Sequence, residues 1–260
     1  MKYALCVEYD GTPYCGWQKL SHAPSVQQEV EQALSKIANH PVEVVCAGRT
    51  DSGVHGVGQI IHFESDAIRD NKAWLLGGNT HLPFSIGFRW IKAVNADFHA
   101  RFSALERHYR YIILNRNMRP TLLHQRVTWF RTALDESKMQ QAANHLIGER
   151  DFSSFRASGC QARHAKRQIK KLHISRQGDY IYIDICANAF LHHMVRNIVG
   201  SLFDVGTGVK PPDWFIELLA IKDRTQAGVT APACGLYFVK VNYPKQYKLP
   251  DNHCFPEFLL

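Results

Sequence analysis

Two runs of apolar and β-branched residues, Val42-Glu43-Val44-Val45-Cys46 and Gln59-Ile60-Ile61-His62-Phe63, bracket the segment Gly48-Arg49-Thr50-Asp51-Ser52-Gly53-Val54-His55-Gly56-Val57-Gly58. The flanking runs have the composition of strands, and the four glycines open the connection to backbone conformations closed to other residues. A sheet must therefore hold a glycine-rich loop that carries one carboxylate, Asp51, with Arg49 two residues before it and His55 four after. Taken alone, Thr-Asp-Ser-Gly is an ordinary turn, because Asp and Ser bond their own backbone and Gly supplies a positive φ. A charged group on a loop anchored by a rigid scaffold is also how reactive side chains are commonly displayed.

Around this loop, strand and helix signals alternate in two similar series. Tyr3, Leu5, Val7 and Tyr9 alternate with smaller or polar residues as in a strand. Ser25 with Gln28 reads as a capping box opening a helix whose Val26, Val30, Ala33, Leu34 and Ile37 share a face. A helix over 66–76 and strands over 88–94 and 109–114 complete the first series. In the second, Asp135 is the expected N-cap of a helix with Met139, Ala142, Ala143 and Leu146 on its apolar face and Gly148 as C-cap. Gln177-Gly178-Asp179 joins a hairpin, followed by a helix with Leu191, Met194, Val195, Ile198 and Leu202 toward the core, a helix over 212–221 and a strand over 236–241. The order fits an α+β fold of two units with mostly antiparallel sheets, divided as 1–104 and 105–260. A chain of 260 residues accommodates two domains of ordinary size.

The net charge of +8 and the pI near 9.1 point to a polyanionic partner. From Arg101 to Arg131 the chain has seven arginines and one acid, interleaved with Phe102, Tyr109, Tyr111, Trp129 and Phe130, and six basic residues with no acid lie between Arg156 and Lys171. Arginine grips phosphate and stacks on bases, so these tracts read as an RNA-facing surface. Seven cysteines, an odd number with no pair two to four residues apart, fit a reduced, cytoplasmic protein without zinc-knuckle spacing. Fourteen histidines include no His-x-x-x-His pair, so no metal is expected. Ala4-Leu5-Cys6-Val7 is too short an apolar stretch for a signal sequence, and no run of about 18 apolar residues occurs, so no membrane association is expected.

The string Gly-Arg-Thr-Asp-Ser-Gly-Val-His, with Gly-Gln-Ile-Ile-His-Phe after it, closely resembles the signature of the TruA family of tRNA pseudouridine synthases. The resemblance runs along the chain through Glu8-Tyr9-Asp10-Gly11-Thr12 with Gly16-Trp17-Gln18, and through Asp97-Phe98-His99-Ala100-Arg101-Phe102-Ser103-Ala104. It continues in Tyr109-Arg110-Tyr111, Asp151-Phe152-Ser153-Ser154-Phe155-Arg156, residues 190–200 and Gly235-Leu236-Tyr237, in family order. It implies the pseudouridine synthase fold, with two pseudo-related domains, merged sheets and an active cleft between them. It also implies a homodimer that converts uridine to pseudouridine at tRNA positions 38, 39 and 40 in the anticodon stem-loop.

That reaction cuts the N1–C1′ bond, turns the detached uracil and rejoins it through C5, so no atom is gained or lost and no cofactor is called for. Resemblance makes Asp51 the essential carboxylate, attacking C6 or assisting departure at C1′. Arg49 matches the arginine that fills the space of the flipped base. Tyr109 matches the tyrosine that stacks on uracil and offers its phenol to proton movement at C5. Arg196 matches the partner that keeps the aspartate ionised, and Leu236 an apolar contact lining the uracil pocket. Arg69, Phe98, His99, Ala100, Arg101 and Phe102, and the stretch Gly159, Cys160, Gln161, Ala162 and Arg163, match tRNA-contact segments. The chain departs from the family pattern at Ser52, at His108 and at Ala162-Arg163-His164. Two rival readings are a non-catalytic RNA-binding α+β module, which would not need the Asp51 loop, and an N-glycosylase, which would release uracil.

Overall fold

The computed structural model describes residues 1–250; Cys254, one of the seven cysteines, lies outside the described residues. Its elements in chain order are β1 (Lys2–Tyr9), α1 (Val26–Ala38), β2 (Val45–Cys46), β3 (His55–Glu64), α2 (Gly78–His81), β4 (Ile86–Val94) and β5 (Glu106–Asn115). They continue with β6 (Thr128–Phe130), α3 (Glu136–Asn144), β7 (Gly148–Asp151), β8 (Lys166–Gln177), β9 (Tyr180–Ala187), α4 (Met194–Gly206), α5 (Trp214–Ile221) and β10 (Leu236–Asn242). Among the described residues no helix is long and apolar enough to cross a membrane.

One compact unit comprises Met1–Arg107 and the described residues from Tyr237 on; the other is His108–Leu236. Relative to a division at 104/105, the difference lies in β10, which returns to pair in parallel with β3, Tyr237 opposite His55 and Phe238 opposite Gly56.

In the first unit the strands run β4-β1-β3-β10, with β2 on β3. β1 is antiparallel to both neighbours, so Leu5 faces Ile61 on one side and Ile91 on the other. Its alternating residues Tyr3, Leu5, Val7 and Tyr9 enter one core cluster with Val26, Val30, Ala33 and Leu34 of α1. Ala4 and Cys6 on the opposite face are buried as well, as befits a central strand. Ser25 caps α1 as expected, its side chain accepting from the Gln28 amide.

The apolar run at 42–46 forms a ladder only at β2, because side chains of α1 take the preceding amides. The Val42 N–H donates to Ser35 Oγ (2.9 Å) and the Val44 N–H to the buried Glu31 carboxylate (3.2 Å). The helix expected over 66–76 starts later. The Asp70 carboxylate accepts the Ala73 amide at 2.6 Å and acts as the start signal. A π-helical turn, Ala73–Gly77, then sinks Trp74 into the core before α2.

The second unit orders its strands β5-β9-β8-β7, with β6 parallel to β5. Gly178, at φ +57°, closes the β8–β9 hairpin between Gln177 and Tyr180. Asp135 caps α3 through the amides of Ser137 and Lys138, and Met139, Ala142 and Ala143 are buried. α3 ends at Asn144, earlier than expected, and Gly148 spends its positive φ of 96° on entering β7. On α4, a Cβ at Gly200 would lie 1.7 Å from the Val229 carbonyl oxygen, so the chain after α5 can cross this helix only over a glycine.

Candidate active site

Residues 47–54 are held from behind by their backbone. The Ala47 amide donates to Ile60 O (2.8 Å), Gln59 Nε2 to Gly48 O (2.6 Å) and the Trp17 amide to Thr50 O (3.0 Å). Thr50 Oγ1 lies 2.8 Å from the Tyr9 hydroxyl, and burial pushes that phenol far above the usual tyrosine range, so it stays protonated. Thr50 is thereby turned into the core, while its neighbours Arg49 and Asp51 are exposed and half-buried respectively. The Ser52 hydroxyl and Gly53 amide both donate to Tyr14 O, and the Val54 amide closes a turn on Asp51 O (3.1 Å). Gly16, at φ +96°, lets the loop after β1 approach closely: a Cβ there would lie 2.7 Å from Thr50 O.

His55, prominent in the motif, is scaffold. Its ring is buried, accepts the Gly11 amide at Nδ1 (3.1 Å) and stacks on Tyr237 at 4.7 Å between centroids.

The same unit carries the segment 98–102 as a tightly bonded loop. Phe98 and Ala100, expected as RNA contacts, are fully buried, and Phe98 packs on Tyr243 and Tyr247. The Ala100 amide donates to His62 Nδ1, and the Ala100 carbonyl accepts from Tyr243 Oη at 2.6 Å. His99 Nδ1 accepts the amides of Arg101 and Phe102, each at 3.2 Å. The loop so made presents Arg101 and Phe102 to solvent, with the guanidinium 5.6 Å from the ring centroid. Arg69 is exposed near the end of α1, donating to Ile37 O and Ile68 O.

Burial, then the neighbouring His99 and Lys2, push the His62 imidazole down to about 4. Because the folded value lies below the unfolded one of about 6.5, the unfolded chain binds the extra proton and stability falls as pH drops through this window. Each pH unit inside it costs roughly tenfold in the folding constant. We expect denaturant midpoints of wild type and His62→Gln to converge between pH 6.5 and 4, the wild type losing stability faster; parallel curves would contradict this.

In the second unit Tyr109 is 8% exposed and meets Phe190 edge to face at 5.0 Å. Tyr111 is buried, its hydroxyl bonded to Thr128 Oγ1 and Pro232 O. Arg110 between them forks onto Asp184 at 2.7 and 2.8 Å and lies over the Tyr182 ring. It is a cross-strand clamp, not a surface cation of the basic tract. Arg196 Nε donates to Ala231 O (2.9 Å) while the Ala231 amide donates to Arg196 O (3.1 Å), pinning α4 to the segment that precedes β10. Leu236 is buried.

At 159–163, Gly159 takes φ +76° and Gln161 and Arg163 are exposed, whereas Cys160 and Ala162 are half-buried. Arg156 Nη2 holds the loop by donating to Cys160 O and Ala162 O, at 2.7 and 2.8 Å. Burial alone would raise the Cys160 thiol, but the His192 and Ala162 amides and the Arg156 charge hold it below the usual value. The expected site residues are thus divided. Asp51, Arg49, Arg69 and 98–102 belong to the first unit, and Tyr109, 159–163, Arg196 and Leu236 to the second.

A family model described as tRNA pseudouridine synthase matches residues 5–103 and 142–244. Similar proteins include the tRNA pseudouridine synthase A of Hydrogenovibrio crunogenus, 58% identical over 247 residues, covering 95% of this chain and 94% of that one. The protein of the same name from Shewanella woodyi is 54% identical over 260 residues, covering both chains completely. That of Enterobacter sp. is 55% identical over 258 residues, 99% of this chain and 96% of its own.

Proposed function

Because this chain belongs to the tRNA pseudouridine synthase family, we propose that it isomerises uridine to pseudouridine at positions 38, 39 and 40 of the tRNA anticodon stem-loop. In this reading it works in the cytoplasm as a homodimer and draws on no metal or cofactor. The observation that carries it is the Asp51 loop: backbone groups, Thr50 and the Ser52 hydroxyl anchor it, so the half-buried Asp51 and the exposed Arg49 sit on a rigid turn.

The roles follow from the chemistry. Flipping uridine out of its stack costs a few kcal/mol, and Arg49 occupies the vacated space. Tyr109 stacks on the extruded ring, and Leu236 lines its apolar side. Arg196 keeps Asp51 ionised. The carboxylate then either adds to C6, through an O–C6 bond that is released again as the product forms, or assists cleavage at C1′; either way the N1–C1′ bond breaks and the C5–C1′ bond forms. The proton leaving C5 passes through the Tyr109 phenol, and N1 ends protonated. Covalent participation would divide one difficult step into two easier ones.

Carbodiimide labelling of treated tRNA, read by mass, tests the reaction. Isomerisation leaves the RNA mass unchanged and creates adduct sites at the three positions. Release of uracil would identify a glycosylase, and neither product would identify a binding module.

Affinity for tRNA should fall steeply with salt, since each neutralised phosphate contributes a slope of about 0.7 to 0.9 in log affinity against log salt. Arg101→Ala should lower that slope by about one unit. Filter-binding titrations over a range of salt would check both, and a flat wild-type line would remove the electrostatic argument.

A further inference from the structure

The Arg107 guanidinium donates to backbone carbonyls of two separate segments. Nε and Nη2 donate to Ala47 O at 3.4 and 3.2 Å, Nη1 donates to Ala104 O at 3.1 Å, and Nη2 also reaches Arg101 O at 2.5 Å. Ala47 is buried and immediately precedes Gly48-Arg49-Thr50-Asp51, while Arg101 and Ala104 bracket the turn that displays Phe102. One half-buried side chain therefore ties the root of the Asp51 loop to the segment that presents Arg101 and Phe102.

An arginine suits this place for a geometric reason. Three carbonyls converge on it from two segments, and a planar fork with five fixed N–H directions satisfies them together. A lysine has one nitrogen and must choose among them. The other anchors of the Asp51 loop described above, from Gln59, Trp17 and Tyr9, come from β3, the loop after β1 and β1 itself, and those bonds do not reach 101–104. Of these anchors, Arg107 is the one that makes the position of one segment depend on the other.

We propose that Arg107 is a positioning residue which couples RNA engagement at Arg101 and Phe102 to the placement of Asp51. This rests on the synthase reading above. RNA that pulls on 101–104 moves the Ala47 carbonyl through the shared guanidinium, and RNA that leaves 101–104 undisturbed leaves Asp51 where it sits in the free protein. Displacing a reacting group by about 1 Å can cost about a hundredfold in rate, so a loose connection should be read in turnover at saturation.

The test uses the full-length protein with Arg107→Met and Arg107→Lys, measuring three quantities: single-turnover rate at saturating enzyme, tRNA affinity, and amide hydrogen exchange at 47–54 and 98–104. The rate should drop about a hundredfold in the Met variant and about tenfold in the Lys variant, while tRNA affinity changes several-fold at most. Exchange should quicken at both segments together, with β4 amides unaltered. A Met variant with the wild-type rate per folded molecule, or exchange quickened at only one segment, would overturn the proposal. Should the Met variant not fold, the Lys variant decides the matter by itself, since a purely structural arginine replaced by lysine would lower the melting temperature and leave the saturated rate intact. Failure of the synthase reading is distinct: the wild-type protein itself would then form no pseudouridine, whereas the exchange result would stand on its own.

Discussion

Asp51→Asn is expected to bind tRNA with wild-type affinity and to make no detectable pseudouridine. Asparagine has nearly the same shape, and the anchors of the loop described above do not need the carboxylate. The Val54 amide bonds to the backbone oxygen of residue 51, and Thr50, Gly48 and the Tyr14 carbonyl carry the rest. The loop should therefore keep its fold in the variant, which its melting temperature would check. The amide is neither a nucleophile nor an anion, so both routes, addition at C6 and assistance at C1′, fail together. Loss of a covalent partner in a cooperating catalytic group typically costs about 10⁴-fold or more. Single-turnover assays with enzyme in excess would read this. An asparagine placed before Ser52 can deamidate slowly back to aspartate, so Asp51→Ala is measured alongside. Turnover by freshly made preparations of both variants would remove Asp51 from the chemistry.

The parts of this site that were legible in the sequence share a property: they depend on the local chain. Glycines at 48 and 53 announce a loop on strands, and the loop is there with Asp51 at its turn, whereas Gly56 and Gly58 fall inside β3, which already begins at His55. Ser25 and Asp135 announce helix starts because a cap is made with residues two or three positions on, and both caps form. What failed to read out depends on partners distant in sequence. The arginines between 101 and 131 look alike as a charge tract, but Arg107 is committed to carbonyls and Arg110 to Asp184, while Arg101 is exposed. Arg156 in the second tract has near partners, the carbonyls four and six residues on, but only the folded loop at 159–163 brings them onto its guanidinium.

Burial is the second limit. Phe98 and Ala100 lie in a stretch that looks uniformly available for RNA, yet both side chains point inward because His62 and Tyr243 bond the Ala100 backbone and turn the chain. Glu31 sits on a helix whose pattern marks it as polar, and it is buried because Lys19, Gln27 and the Val44 amide satisfy its oxygens. The return of β10 to pair with β3 has no local signal, since a parallel partner more than 170 residues away leaves its mark only in the shared ladder. The same reason hides the extent of the compact units: the strand at 236–241 is plain from its residues, but which sheet it joins is not.

Replacing Tyr109 by phenylalanine and by leucine should separate two roles that one side chain carries in the proposed reaction. Phe keeps the ring, which sits edge to face with Phe190 at 5.0 Å, so the buried packing at this position survives. Stacking on a base is worth roughly 1 to 3 kcal/mol, and Phe should retain it, so tRNA affinity should stay near the wild-type value. The hydroxyl is lost, and a positioned proton-transfer group contributes about a hundred- to ten-thousand-fold in rate. Tyr109→Phe should therefore bind normally and turn over at least about a hundredfold more slowly. Tyr109→Leu lacks both ring and phenol, so affinity for the flipped-base complex should fall along with turnover. The comparison is made as single-turnover rate at saturating enzyme, with affinity measured separately on the Asp51→Asn background so that chemistry cannot pull on binding. A Phe protein with the wild-type rate would leave Tyr109 as a stacking platform and require another group to take the proton from C5. A Leu protein with wild-type affinity would instead deny the stack, and the flipped uracil would have to rest against Leu236 and its neighbours alone.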